Sequence, residues 1–398
     1  GLLLCSYTWA DGSRYASKSL LSEGKWVKIR VDKTGIYKLS YADLKNMGFS
    51  DPSKVSVHGY GGWPLDEDFS KEYIDDVPST PVWRGSDYLL FYGKGPVKWE
   101  YDSSSQTFVH TNNPYSLYGY YFVTDATPTN DMTSVAQASG ASTRITTYDD
   151  YLLHEQELVS VNQSGREFFG EDFSGARPRT ISTFSSIPGI TDADGKVTMR
   201  FISRINSGSG TASLSINDSE LLDITIPSIQ TVSSNVRSYT KAIPGTTTAL
   251  WKGSKSEKNN VVVSYSSSGH TNVRLDYIRM QFVRTLRPYG ACTFFRSLTS
   301  VGNSSRFVIS EANSNTLVFD VTDALNVKRV EADLNGSELS FTIPAGRLRE
   351  FVLVQTNQTF PSPEVVGEVA SSNLHGLEQR DMIIISVSYT HLTLPTIR

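Results

Sequence analysis

The heptapeptide KWVKIRV at residues 25–31 alternates polar and apolar side chains, the pattern of a β-strand with one buried face. The turn-forming residues DKTG at 32–35 follow it, and IYKL at 36–39 resumes a strand pattern. Two strands joined by so short a turn predict a β-hairpin. This segment indicates that the fold is built from short strands.

A short helix is predicted directly after this segment, over residues 41–47. Ser40 stands at the N-cap position and Asp43 at the third helical position, and Gly48 follows the expected end. Little other helical periodicity is present, so few and short helices are expected.

Strand patterns recur along the rest of the chain. In residues 273–282 the apolar positions change phase after Tyr277, which predicts a β-bulge inside one strand. Asn335 and Gly336 predict a hairpin turn in the block 306–354. Further strands are predicted at residues 55–60, 87–93, 118–124, 196–205, 213–216, 221–226 and 261–265.

Composition supports a mostly β fold of consecutive β-rich domains, one of them a jelly-roll-like β-sandwich. The chain has 398 residues, of which 38% are hydrophobic and 11% aromatic, enough for several cores. We predict an N-terminal β-rich domain at 24–125, a linker to residue 142, a β-sandwich at 143–290 and a third β-rich segment at 291–377. A net charge of −4 without long Lys/Arg runs argues against a nucleic-acid partner.

The first ten residues, GLLLCSYTWA, resemble the end of a secretory signal peptide, with cleavage expected after Ala10. A buried N-terminal strand is the alternative, and a lipid anchor on Cys5 is disfavoured because Leu4 precedes it. No segment reaches the roughly 18 apolar residues of a membrane span. The sequence therefore predicts an exported protein that does not span the membrane.

Few residues suggest catalysis. After signal cleavage Cys292 is the remaining cysteine, which we expect to be a small buried hydrophobe, although a dyad with a histidine distant in sequence stays open. None of the histidines lies in an HExxH motif or beside a cysteine or carboxylate at metal-ligand spacing: His58, His110, His154, His270, His375 and His391. We assign no catalytic residue, cofactor site or metal site.

Three loops are better explained by structure than by ligand binding. The sequence DADG at 192–195 is a turn, with a calcium loop as the less favoured alternative because the distal Glu of an EF-hand is missing. The sequence GYGG at 59–62 lacks the lysine and following helix of a phosphate-binding loop. Residues 164–171, SGREFFGE, suit a structural corner or a domain contact.

Several segments together resemble one family, the PorU-type sortases of the type IX secretion system in Bacteroidetes, which are relatives of the gingipain cysteine peptidases. Each motif is weak alone, but their order is fairly specific, and the resemblance covers about residues 25–385. The segments are WVKIRV with TGIYKL (26–39), DPSKV (51–55) with GYGG, NPY (113–115) with YYF (120–122), 164–171, DVTD with NV (320–327), REF (349–351) and NLHGL (373–377) leading into DMII (381–384).

The resemblance implies a surface cysteine endopeptidase that removes the C-terminal sorting domain of exported cargo and attaches the remainder to anionic lipopolysaccharide. It also implies that residues 378–385 form the first strand of an α/β, caspase-like catalytic domain. The family's catalytic His and Cys would lie downstream of that strand. Neither His375 nor Cys292 matches them, so no catalytic role is carried over.

The last thirteen residues, 386–398, resemble a sequencing adapter translated in frame, and we expect this tail to be an artefact that packs poorly.

Three functions follow from these observations. The favoured one is the non-catalytic N-terminal region of a sortase, with its own catalytic domain, cargo sorting domains and other secretion components as partners. The first alternative is the prodomain and front end of a secreted gingipain-like protease. The second is a non-enzymatic adhesin or carbohydrate-binding β-sandwich, since exposed and core aromatics cannot be separated by sequence.

Overall fold

The computed structural model describes residues 16–68, 70, 74–161, 167–175, 177–205, 208–229, 242–267, 271–378 and 381–382. The predicted signal at 1–10 with Cys5, the histidines 270 and 391, and the predicted artefact at 386–398 lie outside the described residues. Of the strand predicted at 378–385, only its first residue, Asp381 and Met382 lie within them.

The described residues of the first region form nine strands and one α-helix. They are β1 (Trp26–Val31), β2 (Gly35–Ser40), α1 (Tyr41–Asn46), β3 (Ser56–Gly61), β4 (Ser79–Thr80), β5 (Val82–Arg84), β6 (Tyr88–Gly93), β7 (Val97–Asp102), β8 (Thr107–Asn112) and β9 (Gly119–Thr124). Short 3₁₀ turns lie at Leu20–Ser22 and Pro52–Lys54 here, and at Ser182–Phe184 and Leu298–Ser300 later in the chain.

The hairpin predicted from residues 25–39 is wrong, although both of its strands exist. β1 pairs with β9, whereas β2 pairs with β6 in a second sheet. The turn between them carries the chain from one sheet to the other, and the Tyr37 hydroxyl secures it by donating to the carbonyl of Lys33 at 2.9 Å. Alternation identifies a strand but not its partner.

Helix α1 is confirmed. The Ser40 hydroxyl accepts from the backbone N–H of Asp43 at 3.0 Å, and the Asp43 carboxylate accepts from the backbone N–H of Ser40 at 3.3 Å, which forms a capping box. Buried Leu44 attaches the helix to the core between the two sheets. Gly48 has φ +89°, a left-handed conformation that glycine adopts without strain and that ends the helix.

Within its described residues, the second region is a jelly roll of eight strands. They are β12 (Thr147–Glu155), β13 (Arg179–Thr180), β14 (Gly195–Ile205), β15 (Ser209–Ile216), β16 (Ser219–Pro227), β17 (Ile243–Trp251), β18 (Val261–Ser267) and β19 (Thr271–Thr285). One sheet has the order β12-β19-β14-β17 and the other β13-β18-β15-β16. Apart from β15 and β16, which pair within one sheet, successive strands alternate between the sheets in the jelly-roll manner. One apolar cluster fills the space between the sheets, as predicted.

The third region is another two-sheet sandwich. Its strands are β10 (Ser134–Val135), β11 (Thr143–Ile145), β20 (Cys292–Phe295), β21 (Ser305–Ile309), β22 (Thr316–Asp320), β23 (Lys328–Val330), β24 (Asp333–Asn335), β25 (Glu338–Ile343) and β26 (Phe351–Gln355). β10 lies within the stretch predicted as a linker. Four stacked or edge-on phenylalanines, 295, 307, 341 and 351, form the centre of its core.

Two further sequence predictions are confirmed. Asn335 pairs with Glu338, and Gly336 between them has φ +62°, so a tight turn joins β24 to β25. The register between β14 and β19 shifts after Arg200, which pairs with Tyr277, whereas Phe201 pairs with Leu275. The residue without a partner is Asp276, so the bulge falls there.

The first and third regions share a buried apolar cluster, which we call the apolar joint. Ile36, Leu90 and Tyr92 of the first region pack there with buried residues of the third, which are Phe319, Val321, Val327, Val352, Val354 and Phe360. This shared cluster joins the two regions through buried apolar contacts, beside the separate core of each region.

The last strand returns to the start of the chain. β27 (Glu364–Val369), which lies inside the range predicted for the third segment, pairs antiparallel with β1 at the edge of the first sheet. Asn373 then accepts from the backbone N–H of Ser19 at 2.8 Å, and His375 donates its backbone N–H to the Ser19 hydroxyl at 3.0 Å. The end of the described chain is therefore bound to the first region.

Candidate functional site: the junction of the first region and the jelly roll

The β7–β8 hairpin of the first region lies on the outer face of the jelly-roll sheet. The backbone N–H of Phe108 donates to Gln281 Oε1 at 2.9 Å, and Gln281 Nε2 donates back to the carbonyl of Phe108 at 3.2 Å. Gln281 is 8% exposed because the hairpin covers it. Buried polar groups that bond each other in this way fix the hairpin in one position.

A stack of rings and a guanidinium joins all three regions at this place, and we call it the polar joint. The indole of Trp99 stacks on the ring of Tyr151 at 4.0 Å and 18°. The guanidinium of Arg296 lies 4.3 Å from the centre of the same ring. Trp99 comes from β7, Tyr151 from β12 and Arg296 from the chain after β20, so one contact ties three regions together.

Arg296 is held by charge as well as by stacking. Its side chain is 2% exposed, and its Nη2 donates to Glu350 Oε1 at 2.6 Å. Nη1 donates to the carbonyl of Asp149 at 3.0 Å and lies 3.6 Å from Asp150 Oδ1. A buried guanidinium is tolerated only with such partners. The carboxylates and Tyr151 outweigh desolvation and raise the pKa of Arg296 above its usual range.

Cys292 faces a cavity of about 370 Å³ beside the polar joint. The prediction that this residue is buried is wrong, since it is half-buried. Thr293 and Phe295 on β20 point into the core of the third region, so Cys292 on the same strand points the other way. Desolvation raises the pKa of its thiol to about 12, and no histidine is among the described residues that line the cavity. A thiolate nucleophile needs the opposite environment.

The four described histidines have separate structural partners. His58 is buried against the hydroxyls of Ser56 and Thr127 at 3.2 and 2.8 Å. His110 Nε2 lies 3.1 Å from Glu155. The other two pair with acids, His154 with Glu171 at 2.7 Å and His375 with Asp75 at 3.4 Å.

The loop 192–195 is organised by the protein's own groups. Asp192 Oδ1 accepts from the backbone N–H of Lys255 at 2.8 Å and from the Ser254 hydroxyl at 3.3 Å. The ammonium of Lys255 lies 3.4 Å from the carbonyl of Asp192, where it opposes a bound cation. No group of three or more His, Cys, Asp or Glu side chains among the described residues could hold a metal ion.

The described part of the predicted corner, residues 167–171, lies against the jelly roll. Phe169 is fully buried and exchanges backbone hydrogen bonds with Val159, and Gly170 donates to the carbonyl of Leu275 at 2.7 Å. Phe168 is 38% exposed and points toward a groove. The corner thus anchors one wall of that groove.

The groove itself runs between the first region and the jelly roll, and we call it the acidic groove. It has a volume of about 1380 Å³ and an open mouth. Seven acidic residues line it, together with Arg200 as the one Lys or Arg among the described lining residues. The acids are Asp66, Glu67, Asp68, Glu155, Glu157, Glu167 and Asp276. Among the described lining residues, carboxyl side chains therefore outnumber Lys and Arg side chains.

Two carboxyl groups of the groove are harder to ionise than usual. Burial raises the pKa of Asp276 to about 6, even though Arg200 donates to this carboxylate. Partial desolvation by the groove walls, with the neighbouring Glu155, raises the pKa of Glu157 to about 7. Asn112 donates to Glu157 at 2.8 Å and is its neutral partner. Perturbed carboxyl groups in a cleft mark a candidate binding site.

The bulge at Asp276 creates this arrangement. Leu275 and Ile278 both point into the jelly-roll core, so the two residues between them, Asp276 and Tyr277, face the groove side. The sequence predicts the bulge, but it does not indicate that the unpaired position is an acid opposite Arg200. Bulges are common next to functional sites, so the predicted bulge was the sequence signal that could have pointed to this site.

Sequence analysis also missed Arg296, Glu155 and Glu157. Arg296 follows the strand CTFF and carries no motif of its own. Glu155 and Glu157 lie two positions apart, so their side chains fall on one side of the extended chain. The sequence shows this spacing. It does not show the partners of the two residues, because these lie on the β7–β8 hairpin of a different region.

Comparisons with known proteins include a strong likeness to a solved structure. No protein-family model and no curated protein matches the chain. The solved structure of dimeric latent PorU from Porphyromonas gingivalis is 33% identical, covers 92% of this chain and superposes with a TM-score of 0.82. The chain spans 35% of that PorU chain. In sequence and in fold it is therefore PorU-like.

Two other solved structures are much weaker likenesses. The insecticidal delta-endotoxin Cry8Ea1 from Bacillus thuringiensis is 10% identical, over 57% of this chain and 41% of its own, with a TM-score of 0.23. A cycloisomaltooligosaccharide glucanotransferase from Paenibacillus sp. is 8% identical, over 55% of this chain and 45% of its own, with a TM-score of 0.17. Likenesses this weak identify neither fold nor function.

Proposed function

We propose that this PorU-like chain is the non-catalytic N-terminal region of a type IX secretion sortase. The parent protein would be a gingipain-like cysteine endopeptidase and transpeptidase that removes C-terminal sorting domains from cargo. The observation that carries the proposal is the likeness to PorU over 92% of the chain at 33% identity. A match over 92% of the chain extends beyond any one of the three regions.

We propose that the region acts as a scaffold that holds binding surfaces in a fixed arrangement. The apolar joint and the polar joint fuse three sandwiches into one body. The acidic groove lies on this body between two of its regions. A fused scaffold keeps such a groove preorganised, and preorganisation lowers the entropy lost on binding.

Catalysis in the parent would come from residues outside those described here. Acyl transfer by a cysteine peptidase requires a thiolate, a general base and oxyanion donors at one place. Cys292 has a pKa raised to about 12 and a cavity lined, among the described residues, by no histidine. Its environment supports packing beside the apolar joint and opposes a role as nucleophile.

We further propose that the parent is exported through a signal peptide and acts at the outer-membrane surface or outside the cell. Its partners would be its own catalytic domain, cargo sorting domains, other type IX secretion components and anionic lipopolysaccharide. No helix among the described residues is long and apolar enough to cross a bilayer.

The experiment is to incubate the purified chain with a cargo sorting domain and to follow binding and cleavage together. We expect binding without cleavage. Cleavage that survives removal of contaminating proteases and disappears in Cys292→Ala would overturn the non-catalytic role. Binding of glycans in place of the sorting domain would support an adhesin and contradict the proposal.

A further inference from the structure

The cavity beside the polar joint takes no part in the proposed function, and its lining indicates a small ligand. It has a volume of about 370 Å³ and lies where the three regions meet. Its walls come from β6 and β7 of the first region, β12 of the jelly roll and β20 of the third region. This volume falls within the range of small-molecule binding sites.

We infer that this cavity binds a neutral sugar unit, a pyranose ring that is either free or at the end of a longer glycan. The inference goes beyond the proposed function, which requires no sugar. Three observations carry it: tyrosine hydroxyls without partners, a balance of charge in the lining, and half-buried aromatic rings.

The first observation is a buried tyrosine whose hydroxyl has no partner. Tyr92 lines the cavity and is 4% exposed, yet within the described part of the chain its hydroxyl makes no hydrogen bond. This hydroxyl is not among the fully enclosed polar atoms, so it opens onto the cavity. A buried polar group is costly until a hydrogen-bonding group satisfies it, and a ligand in the cavity can do so.

A second hydroxyl and a carboxylate oxygen are available in the same lining. The hydroxyl of Tyr151 also has no partner among the described residues and is not enclosed. Glu350 accepts from Arg296 with Oε1, and its Oε2 has no partner among them. Burial raises the pKa of both tyrosines and Glu350 adds to the rise, so both hydroxyls stay protonated. Sugar hydroxyls donate and accept, and can therefore pair with all three groups.

The second observation is the balance of charge in the lining. Carboxylates and cations are equal in number among the described lining residues, with Asp32, Asp150 and Glu350 against Lys33, Arg284 and Arg296. Arg284 donates to Asp150 at 2.8 Å, and Arg296 donates to Glu350 at 2.6 Å, so these charges neutralise each other within the chain. A charged ligand would add a partly desolvated charge that this lining does not compensate. We therefore expect the ligand to be neutral.

The third observation is the aromatic surface of the cavity. Trp63, Trp99 and Phe294 line it and are half-buried. A pyranose ring has apolar C–H faces that pack on aromatic rings, and it has hydroxyl groups around its edge that form hydrogen bonds. A purely apolar ligand would cover the rings but leave the hydroxyls of Tyr92 and Tyr151 unpaired. A neutral sugar satisfies both parts of the lining.

The test is saturation-transfer difference NMR on the whole chain, with the methyl glycosides of glucose, galactose and mannose as neutral probes. We expect at least one of the three to bind, and we expect glucosamine and glucuronate to bind more weakly. No binding of any neutral glycoside, or equal or tighter binding of a charged sugar, would overturn the inference. A tetrasaccharide of the sugar that binds separates the two sources, because its binding assigns the end of a glycan and its exclusion assigns a free sugar.

Tyr92→Phe removes the hydroxyl and keeps the ring. It should weaken sugar binding about five-fold, the effect expected for one neutral hydrogen bond, while circular dichroism checks that the variant folds. The matched control is Tyr265→Phe, because Tyr265 is also 4% exposed but lies in the jelly-roll core and does not line the cavity. This control should bind the sugar like the wild type. Equal loss of binding in both variants would contradict the proposed site.

Cys292, another lining residue, reports where the sugar binds. A saturating sugar should slow the alkylation of this thiol by N-ethylmaleimide, measured by mass spectrometry of the peptide that contains it. Unchanged alkylation with the sugar bound would place the sugar elsewhere and overturn the inference. If no sugar binds but a cargo sorting domain does, the inference falls and the proposed function stands. A sugar that binds where the sorting domain fails would support the inference and contradict the proposed function.

Discussion

The first region meets its two neighbours through contrasting chemistry. At the apolar joint with the third region, Leu90 and Phe319 are fully buried in a shared hydrophobic cluster. Against the jelly roll, the same region uses Trp99 in a cation–aromatic stack and hydrogen bonds to the buried Gln281. The apolar contact is non-directional, whereas the polar one depends on geometry and charge.

The contrast suggests a division of labour. The stability of an apolar joint falls in proportion to the buried apolar area that a substitution removes. It depends little on salt or pH. A polar joint fixes orientation through hydrogen-bond geometry and charge. Variants can therefore separate the two contacts.

The largest effect is expected at the apolar joint. Phe319→Ala should lower the free energy of unfolding by about 3–5 kcal/mol, because it removes a fully buried ring and leaves a cavity. Denaturant titration measures this, with Leu334→Ala as control, since Leu334 is 41% exposed in the same region. Equal effects of both variants would show that the joint is not a true core.

The next effect is expected at the polar joint. Arg296→Lys keeps the charge but loses the planar stack on Tyr151 and part of the bonding to Glu350, and should cost about 2–3 kcal/mol. Exposed Arg306→Lys in the same sandwich is the control and should change stability by less than about 0.5 kcal/mol. If Arg296→Lys left the free energy of unfolding unchanged, the positive charge alone would account for the contribution of this residue to the polar joint.

A smaller loss is expected for the hairpin attachment. Gln281→Ala leaves the backbone N–H and carbonyl of Phe108 buried without this partner, at a cost of about 1–2 kcal/mol. Hydrogen exchange should show faster opening of β7 and β8 and unchanged protection at the apolar joint. The exposed Gln358→Ala serves as control. Loss of protection throughout would contradict two separable joints.

The smallest effect is the pH dependence of the groove. The folded pKa of Glu157 is about 7 against an ordinary 4.5, so folding favours its protonated form and stability falls as pH rises from about 4.5 to 7. Glu155, Asp276, Arg200, Glu167 and His110 face the same space.

Glu157→Gln should make the fall in stability shallower, by less than about 1 kcal/mol because the side chain is solvent-screened. The measurement is a series of denaturant titrations at several pH values. Asp276 adds a similar fall between about pH 4 and 6. A steeper slope in the variant would reverse the sign argued here.

Local features of the fold could be predicted from the sequence. The capping box at Ser40, the Asn335-Gly336 turn and the phase change after Tyr277 each lie within a few residues, where propensity and alternation act. The wrong hairpin shows the limit, because β1 and β2 have the right pattern and different partners.

Most of the candidate site could not be predicted for the same reason. Trp99, Tyr151 and Arg296 come from three regions, and no local pattern marks a stack between them. The unexpected exposure of Cys292 likewise depends on a cavity built by other strands. Contacts set by tertiary packing override local expectation.

β27 pairs with β1, a strand that lies far from it in the sequence. This separation along the chain influences the order in which parts of the structure form. The contact from Ser19 to Asn373 joins residues 354 positions apart, so the first sheet stays incomplete until almost the whole described chain has been made. Such distant pairing is slow to nucleate and comes after local structure. A chain that folds from its first residue onward would close this edge last. The pairing of β27 with β1 would then indicate that the three sandwiches have formed before the residues after β27 take up their positions.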